Sequence, residues 1–123
     1  MARLFLRVYF KPAEWLGPGK VQLLEAVRDQ GSISGAARGM KMSYRRAWLL
    51  IDTLNALFDQ PVVETTMGGR GGGAARLTAF GAEVIARYRA MEAAAAAALA
   101  PDLAALDAHL RQPPRRPRPV RVR

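Results

Sequence analysis

The side chains best placed for chemistry in this sequence are arginines at helix starts and loop tips. Ser43-Tyr44-Arg45-Arg46 opens an amphipathic stretch, and Arg70 stands within Gly68-Gly69-Arg70-Gly71-Gly72-Gly73. A guanidinium can grip guanine O6 and N7 through two parallel N–H bonds, worth about 1–3 kcal/mol against a wrong base. A helix N-terminus adds its own attraction for phosphate. Catalytic sets are missing. With no cysteine there is neither a disulfide nor a thiolate metal site, and His109 is the single histidine, expected at the surface. Asp102 and Asp107 lie on an alanine-rich segment with no pocket pattern and no nucleophile–base pair beside them. The glycine run lacks the Lys-Ser/Thr that closes a phosphate loop, so a nucleotide site is set aside. The reading is a non-enzyme with no cofactor and no metal.

Charge points the same way. The formal net charge is +9. Residues 111–123 hold six arginines and no acid, while residues 1–110 hold thirteen basic residues against ten acids, a balance of +3. The tail thus supplies two-thirds of the excess. A basic balance suits polyanions, nucleic acid before membrane; the plainer alternative is a solvated tail. The N-terminus lacks the apolar run and cleavage site of a secretory leader. The alanine-rich region carries Arg87, Arg89, Glu92, Pro101 and Asp102, which argues against a membrane span. A cytoplasmic protein is expected. At 123 residues, half of them hydrophobic, the chain is long enough for one domain with short appendages.

Those arginines need elements to hold them. Leu4, Leu6, Val8 and Phe10 alternate with Phe5, Arg7, Tyr9 and Lys11, which predicts a strand with one buried face. Gly17-Pro18-Gly19 reads as a chain reversal whose Pro18 opens a helix. Val21, Leu23, Leu24 and Val27 stripe that helix to a stop at Gly31. Ser32 caps a short helix to about Gly39, with Ala36 and Ala37 small enough for close helix contact. Lys41 and Met42 fill a tight turn. Ser43 caps a third helix to about Phe58, with Ala47, Leu50, Ile51, Leu54 and Phe58 on its apolar side. Pro61 stops it. Val62–Thr66 and Ala74–Leu77 form a hairpin around the glycine loop, and Thr78 caps a long helix striped by Phe80, Val84, Tyr88, Met91, Ala95 and Leu99. Pro101 restarts or kinks that helix; Pro113-Pro114 ends it, and the Pro/Arg remainder is expected to be disordered.

Strand, helix, short helix, tight turn, helix, hairpin, long helix is the order of a winged helix-turn-helix, a mainly α (α+β) fold. With Ala47, Ile51, Leu54 and Phe58 inward, Arg45, Leu49, Asp52 and Ala56 point outward. Arg45 leads for base readout, and Arg46 reads a base or holds a phosphate. Asp52 accepts from a cytosine amine or pairs with an arginine. Trp48 is expected to pack at the edge of the core. Arg70 at the wing tip reaches a minor groove or a phosphate. The expected DNA-contacting set is Ser32, Ser34, Lys41, Ser43, Tyr44, Arg45, Arg46, Leu49, Arg70 and Arg76.

Gly31-Ser32-Ile33-Ser34, Ala36-Ala37, Met42-Ser43-Tyr44-Arg45-Arg46-Ala47-Trp48, Ile51-Asp52, Leu54-Asn55, the run Gly68 to Ala74, Leu77-Thr78 and Gly81 together carry a resemblance. The segment resembles the DNA-binding domain of ModE-type molybdenum-responsive transcription regulators, relatives of the LysR-type winged helices. The looser pattern covers about residues 17–100. The resemblance implies a cytoplasmic regulator that dimerises on a partly palindromic site in double-stranded DNA. Full-length members carry molybdate-binding domains after the long helix; a Pro/Arg tail follows here, so molybdate binding is not expected. The expected layout is a winged domain over 1–78, a helical dimerisation segment over 79–110 and a basic tail over 111–123. Val84, Tyr88, Met91, Ala95 and Leu99 are the expected homodimer contacts, because their spacing is like a coiled coil's; the competing reading is that the first half of the stripe covers its own domain. Two other functions stay open: a non-specific nucleic-acid-binding or chromosome-organising protein, and a winged helix serving as a protein-interaction module.

Overall fold

Pro18 and Gly31 bracket the first helix for opposite reasons. Pro18 has no N–H to leave unpaired at the helix start, and Gly31 adopts φ +72° while its N–H closes on Val27 O at 2.9 Å. The structure is a computed structural model and describes residues 2–66 and 73–111. Among them the elements run β1 (Val8–Lys11), β2 (Glu14–Leu16), α1 (Pro18–Gln30), α2 (Ile33–Gly39), α3 (Tyr44–Leu57), β3 (Val63–Thr65), β4 (Ala75–Leu77) and α4 (Ala79–Asp107). This is the expected α+β winged helix with a long final helix.

The N-terminal strand is shorter than the alternation suggested. Only Val8–Lys11 is extended in a ladder, and its partner is Glu14–Leu16, with Val8 opposite Leu16 and Tyr9 opposite Trp15. The reversal therefore falls at Pro12-Ala13, and Gly17 caps α1. A three-residue strand is too short to show a period, which hid β2. Charge fastens this hairpin to α1. The Arg7 guanidinium lies 3.6 Å from the Trp15 ring centre, and Lys20 Nζ lies 4.0 Å from it. Lys20 Nζ also donates to Trp15 O at 2.9 Å. Burial, and secondarily Arg7, pull the Lys20 ammonium below its usual pKa; Glu14 pulls it back up.

One core joins all three layers. Val21, Leu23, Leu24 and Val27 of α1 meet Ile33, Ala36 and Ala37 of α2 and Ala47, Ile51 and Leu54 of α3. Val62, Val63 and Ala75 bring the β3–β4 hairpin into it, and Val84, Ile85 and Tyr88 bring α4. Val84 and Tyr88 therefore face their own chain. Tyr88 is completely buried and its hydroxyl donates to Leu6 O at 2.6 Å. Burial, aided by Glu92, pushes that phenol up to about 12. Arg89 locks the same level of α4 to α1, with Nη2 2.7 Å from Glu25 and Nη1 2.7 Å from Glu92. The packed body thus runs through Arg89 and past the expected boundary at 78. Beyond it, α4 continues through Pro101 without ending.

The hairpin β3–β4 is antiparallel, with Val63 opposite Leu77, Glu64 opposite Arg76 and Thr65 opposite Ala75. Ala75 N donates to Gly31 O at 2.9 Å, which docks β4 at the junction of α1 and α2. Thr78 caps α4, its hydroxyl accepting from Gly81 N at 2.9 Å and donating to Pro61 O at 2.7 Å. The entry is tight: a Cβ on Gly81 would stand 2.2 Å from Val62 O. Alanine gains about 1 kcal/mol of helix propensity over glycine, but forcing a backbone carbonyl aside costs about 1–3 kcal/mol or more. Gly81→Ala is expected to lower the thermal unfolding midpoint by several degrees. A midpoint that rises would show that the helix entry yields freely.

Candidate nucleic-acid interface

The helix-turn-helix is set by backbone bonds at one corner. Met42 N donates to Ala37 O at 3.0 Å, Met40 N to Ala36 O at 3.1 Å and Lys41 N to Arg38 O at 3.2 Å. Lys41 takes φ +55°, the left-handed conformation that lets so short a turn close. Ser32 Oγ accepts from Gly35 N at 3.0 Å, and Ser43 Oγ accepts from Arg46 N at 3.1 Å, so both helices begin on side-chain caps. The caps fix where α3 starts, and the start fixes where its arginines point.

On α3, Ala47, Ile51 and Leu54 are buried, while Ser43, Tyr44, Arg45, Arg46 and Leu49 are exposed. Among the described residues no acid lies within ion-pair distance of Arg45 or Arg46. Their guanidiniums are presented to solvent beside the positive end of the helix dipole. Lys41 is exposed at the turn; Ser32 and Ser34 are half-buried at the start of α2. Arg46, Leu49, Leu50 and Thr53 line a shallow recess along one flank of α3.

One expected member is engaged elsewhere. Arg76 is not a free cation: its Nη2 lies 2.7 Å from Glu64 Oε2, directly across the β3–β4 register. Both side chains are well exposed, so the pair is worth little, about 0–1 kcal/mol. Arg70 lies outside the described residues. Trp48 does not sit at the core edge; it is 44% exposed, and Tyr44 one turn earlier is 56% exposed. Nothing in a helical period reveals how far the core beside α3 extends.

Asn55 is the residue that the sequence reading passed over. Its Oδ1 accepts from Val62 N at 2.7 Å and its Nδ2 donates to Val63 O at 3.1 Å. The side chain thereby acts as a short extra strand, clamping β3 to α3. The signal was present as a polar residue on the inner flank of an otherwise apolar helix, but its partner came from tertiary structure.

Two kinds of comparison bear on this segment. The family described as bacterial regulatory helix-turn-helix protein, lysR family, matches residues 19–82. The molybdenum-pterin-binding protein MopA of Rhodobacter capsulatus is 46% identical over 84 residues, 68% of this chain and 32% of its own length. The molybdenum transport protein ModE of Azotobacter vinelandii is 44% identical over 77 residues, 63% of this chain and 28% of its own. The DNA-binding transcriptional dual regulator ModE of Escherichia coli K12 is 34% identical over 87 residues, 71% of this chain and 33% of its own. The chain spans about a third of the length of the curated relatives it matches.

Asn55→Ala would strand a buried N–H and a buried carbonyl at the root of the hairpin. The expected loss is about 1–3 kcal/mol. Hydrogen exchange is expected to speed up at the Val62 and Val63 amides while those within α1 keep their protection. Unchanged exchange at Val62 would show that the clamp carries no weight.

Proposed function

The chain belongs to the LysR-type family of bacterial regulatory helix-turn-helix proteins, and from that premise we propose that it is a sequence-specific DNA-binding transcription regulator acting as a homodimer. The observation that carries this reading is the first turn of α3: Ser43 caps it, Ala47, Ile51 and Leu54 anchor it, and Arg45 and Arg46 stand free in front of it. In this reading α3 enters the major groove, about 12 Å wide, with Arg45 toward base edges and Arg46 toward a base or a phosphate. Lys41, Ser32, Ser34 and Ser43 hold the flanking backbone, which positions the protein without reading sequence. The wing meets the adjacent backbone or minor groove.

A single module of this kind reads few base pairs, and a dimer multiplies the specificity. The support lies in α4. Past Arg89 the helix is largely exposed, with Met91 41% and Leu99 39% exposed and Leu106 exposed more fully. With the half-buried Ala95 they form one apolar edge of the helix, and the alanines from 93 to 98 let a second helix come close. Val84 and Tyr88 belong to the monomer core, so the dimer contact starts at Met91. The names of the relatives speak of molybdenum; the likeness lies in the helix-turn-helix segment, and no molybdate site is proposed in this chain. Among the described residues no group of three or more His, Cys, Asp or Glu could hold a metal ion, and no helix is long and apolar enough to cross a membrane. We place the protein in the cytoplasm, where its DNA is.

Selection from random DNA fragments, followed by sequencing, is expected to return an inverted repeat with half-sites about one helical turn apart. Arg45→Ala is expected to relax one position in each half-site, at about 1–3 kcal/mol. Recovery of no motif, with equal affinity and salt slope for every sequence, would favour a non-specific binder. Leu99→Glu is expected to weaken the dimer in sedimentation and to lower affinity for the full repeat far more than for one half-site. A dimer unaffected by Leu99→Glu would move the subunit contact elsewhere.

A further inference from the structure

Tyr44 and Trp48 are large aromatic side chains left open on α3, where a monomer has no reason to expose them. Their direction follows from Asn55. At 100° per residue, Tyr44 and Trp48 lie about 20° to either side of the Asn55 line. Asn55 points at the root of the β3–β4 hairpin, since its amide bonds Val62 and Val63. The two aromatics therefore continue, toward the start of α3, the flank that faces the hairpin side. The recess lined by Ser43, Arg45, Arg46, Leu49, Leu50 and Thr53 takes in neither aromatic.

Charge narrows what can cover this flank. Arg45 and Arg46 adjoin it in sequence and attract a polyanion. Asp52, exposed one turn beyond Trp48, repels phosphates from that edge. What fits is a neutral apolar group carried by a polyanion. A helix with its side chains, 10–12 Å across, fills a groove about 12 Å wide, so long side chains on its flank reach the base edges at the margin of the groove floor. The apolar group that DNA offers there is the thymine 5-methyl, the feature that separates thymine from the other bases in the major groove. We propose that Tyr44 and Trp48 form an apolar wall on α3 that packs against thymine 5-methyl groups and makes thymine a specificity-determining base next to the position read by Arg45. The proposal rests on the regulator reading and adds to it Trp48, and for Tyr44 and Trp48 the chemical group they recognise.

The test uses the full chain and operator duplexes recovered by random selection, with each thymine in turn replaced by deoxyuridine. That exchange keeps base pairing and the O4 acceptor and removes the methyl. In fluorescence anisotropy the unmodified protein is expected to lose about three- to tenfold in affinity at one or two positions of each half-site, the effect of uncovering one buried methyl. Trp48→Ala is expected to bind the thymine and deoxyuridine duplexes equally at one of those positions. Arg45→Ala, which acts on a neighbouring base, is expected to keep the discrimination. Trp48→Phe should restore part of it, and the thermal midpoints of the Trp48 variants should match the parent's because the side chain is not part of the core. A protein indifferent to every deoxyuridine, or a Trp48→Ala variant that discriminates as the parent does, overturns the proposal while leaving an Arg45-dependent motif standing. Recovery of no motif at all overturns this proposal and the regulator reading together.

Discussion

The peptide group of Val62 is where the architecture is tied. Its N–H donates to Asn55 of α3, its carbonyl accepts from Thr78 N at 3.0 Å, and its side chain is fully buried. Gly81 passes so close that no Cβ fits. Three elements, α3, the hairpin and α4, thus meet on one residue. A buried residue bonded through both its N–H and its carbonyl has little freedom, because each unmade bond would cost the full desolvation of its group. The angle between the helix that carries Arg45 and the hairpin beside it is set there, by hydrogen bonds and contact and not by apolar packing alone.

From that junction the molecule divides into a rigid part and a projecting part. The first turns of α4 are core: Val84, Ile85 and Tyr88 are buried, and Arg89 reaches Glu25 across to α1. Past Arg89 the helix is mostly exposed, held at its far end by Ala2 N donating to Asp107 Oδ2 at 2.9 Å, and alanine, the best intrinsic helix former, helps it remain helical. Pro101 sits inside it at the cost of one backbone bond. The exposed edge from Met91 onward supports the dimer reading, because an apolar stripe of that length is costly to leave in water.

The arginines sort by the company they keep. Arg89 is clasped by Glu25 and Glu92, which raise its pKa, and Arg76 is answered by Glu64 across the strand pair. Arg7 lies on the face of Trp15. These cations serve the fold. Arg45 and Arg46 have no such partner among the described residues, and they stand at a capped helix start. An unpaired cation at an ordered position is preorganised for an anion from outside, which is what separates a binding arginine from a structural one.

Much of this was written in local sequence. Pro18, Gly31, Ser32, Ser43 and Thr78 mark helix ends through properties of single residues: a missing N–H, a tolerated positive φ, a short hydroxyl. The periods of α1, α3 and α4 follow from the spacing of their apolar residues, and the outward direction of Arg45 follows from the inward direction of Ala47 and Ile51. Other features needed the third dimension. The short strand β2 has no period to read, and its partner is a matter of register. Whether Trp48 is covered depends on how far the core reaches, and whether Arg76 is free depends on what stands opposite it. The stripe on α4 is continuous in sequence, yet packing decides that Val84 and Tyr88 are inside and Met91 outside. Periodicity tells which residues share a face; only the neighbours brought up by folding decide what that face meets.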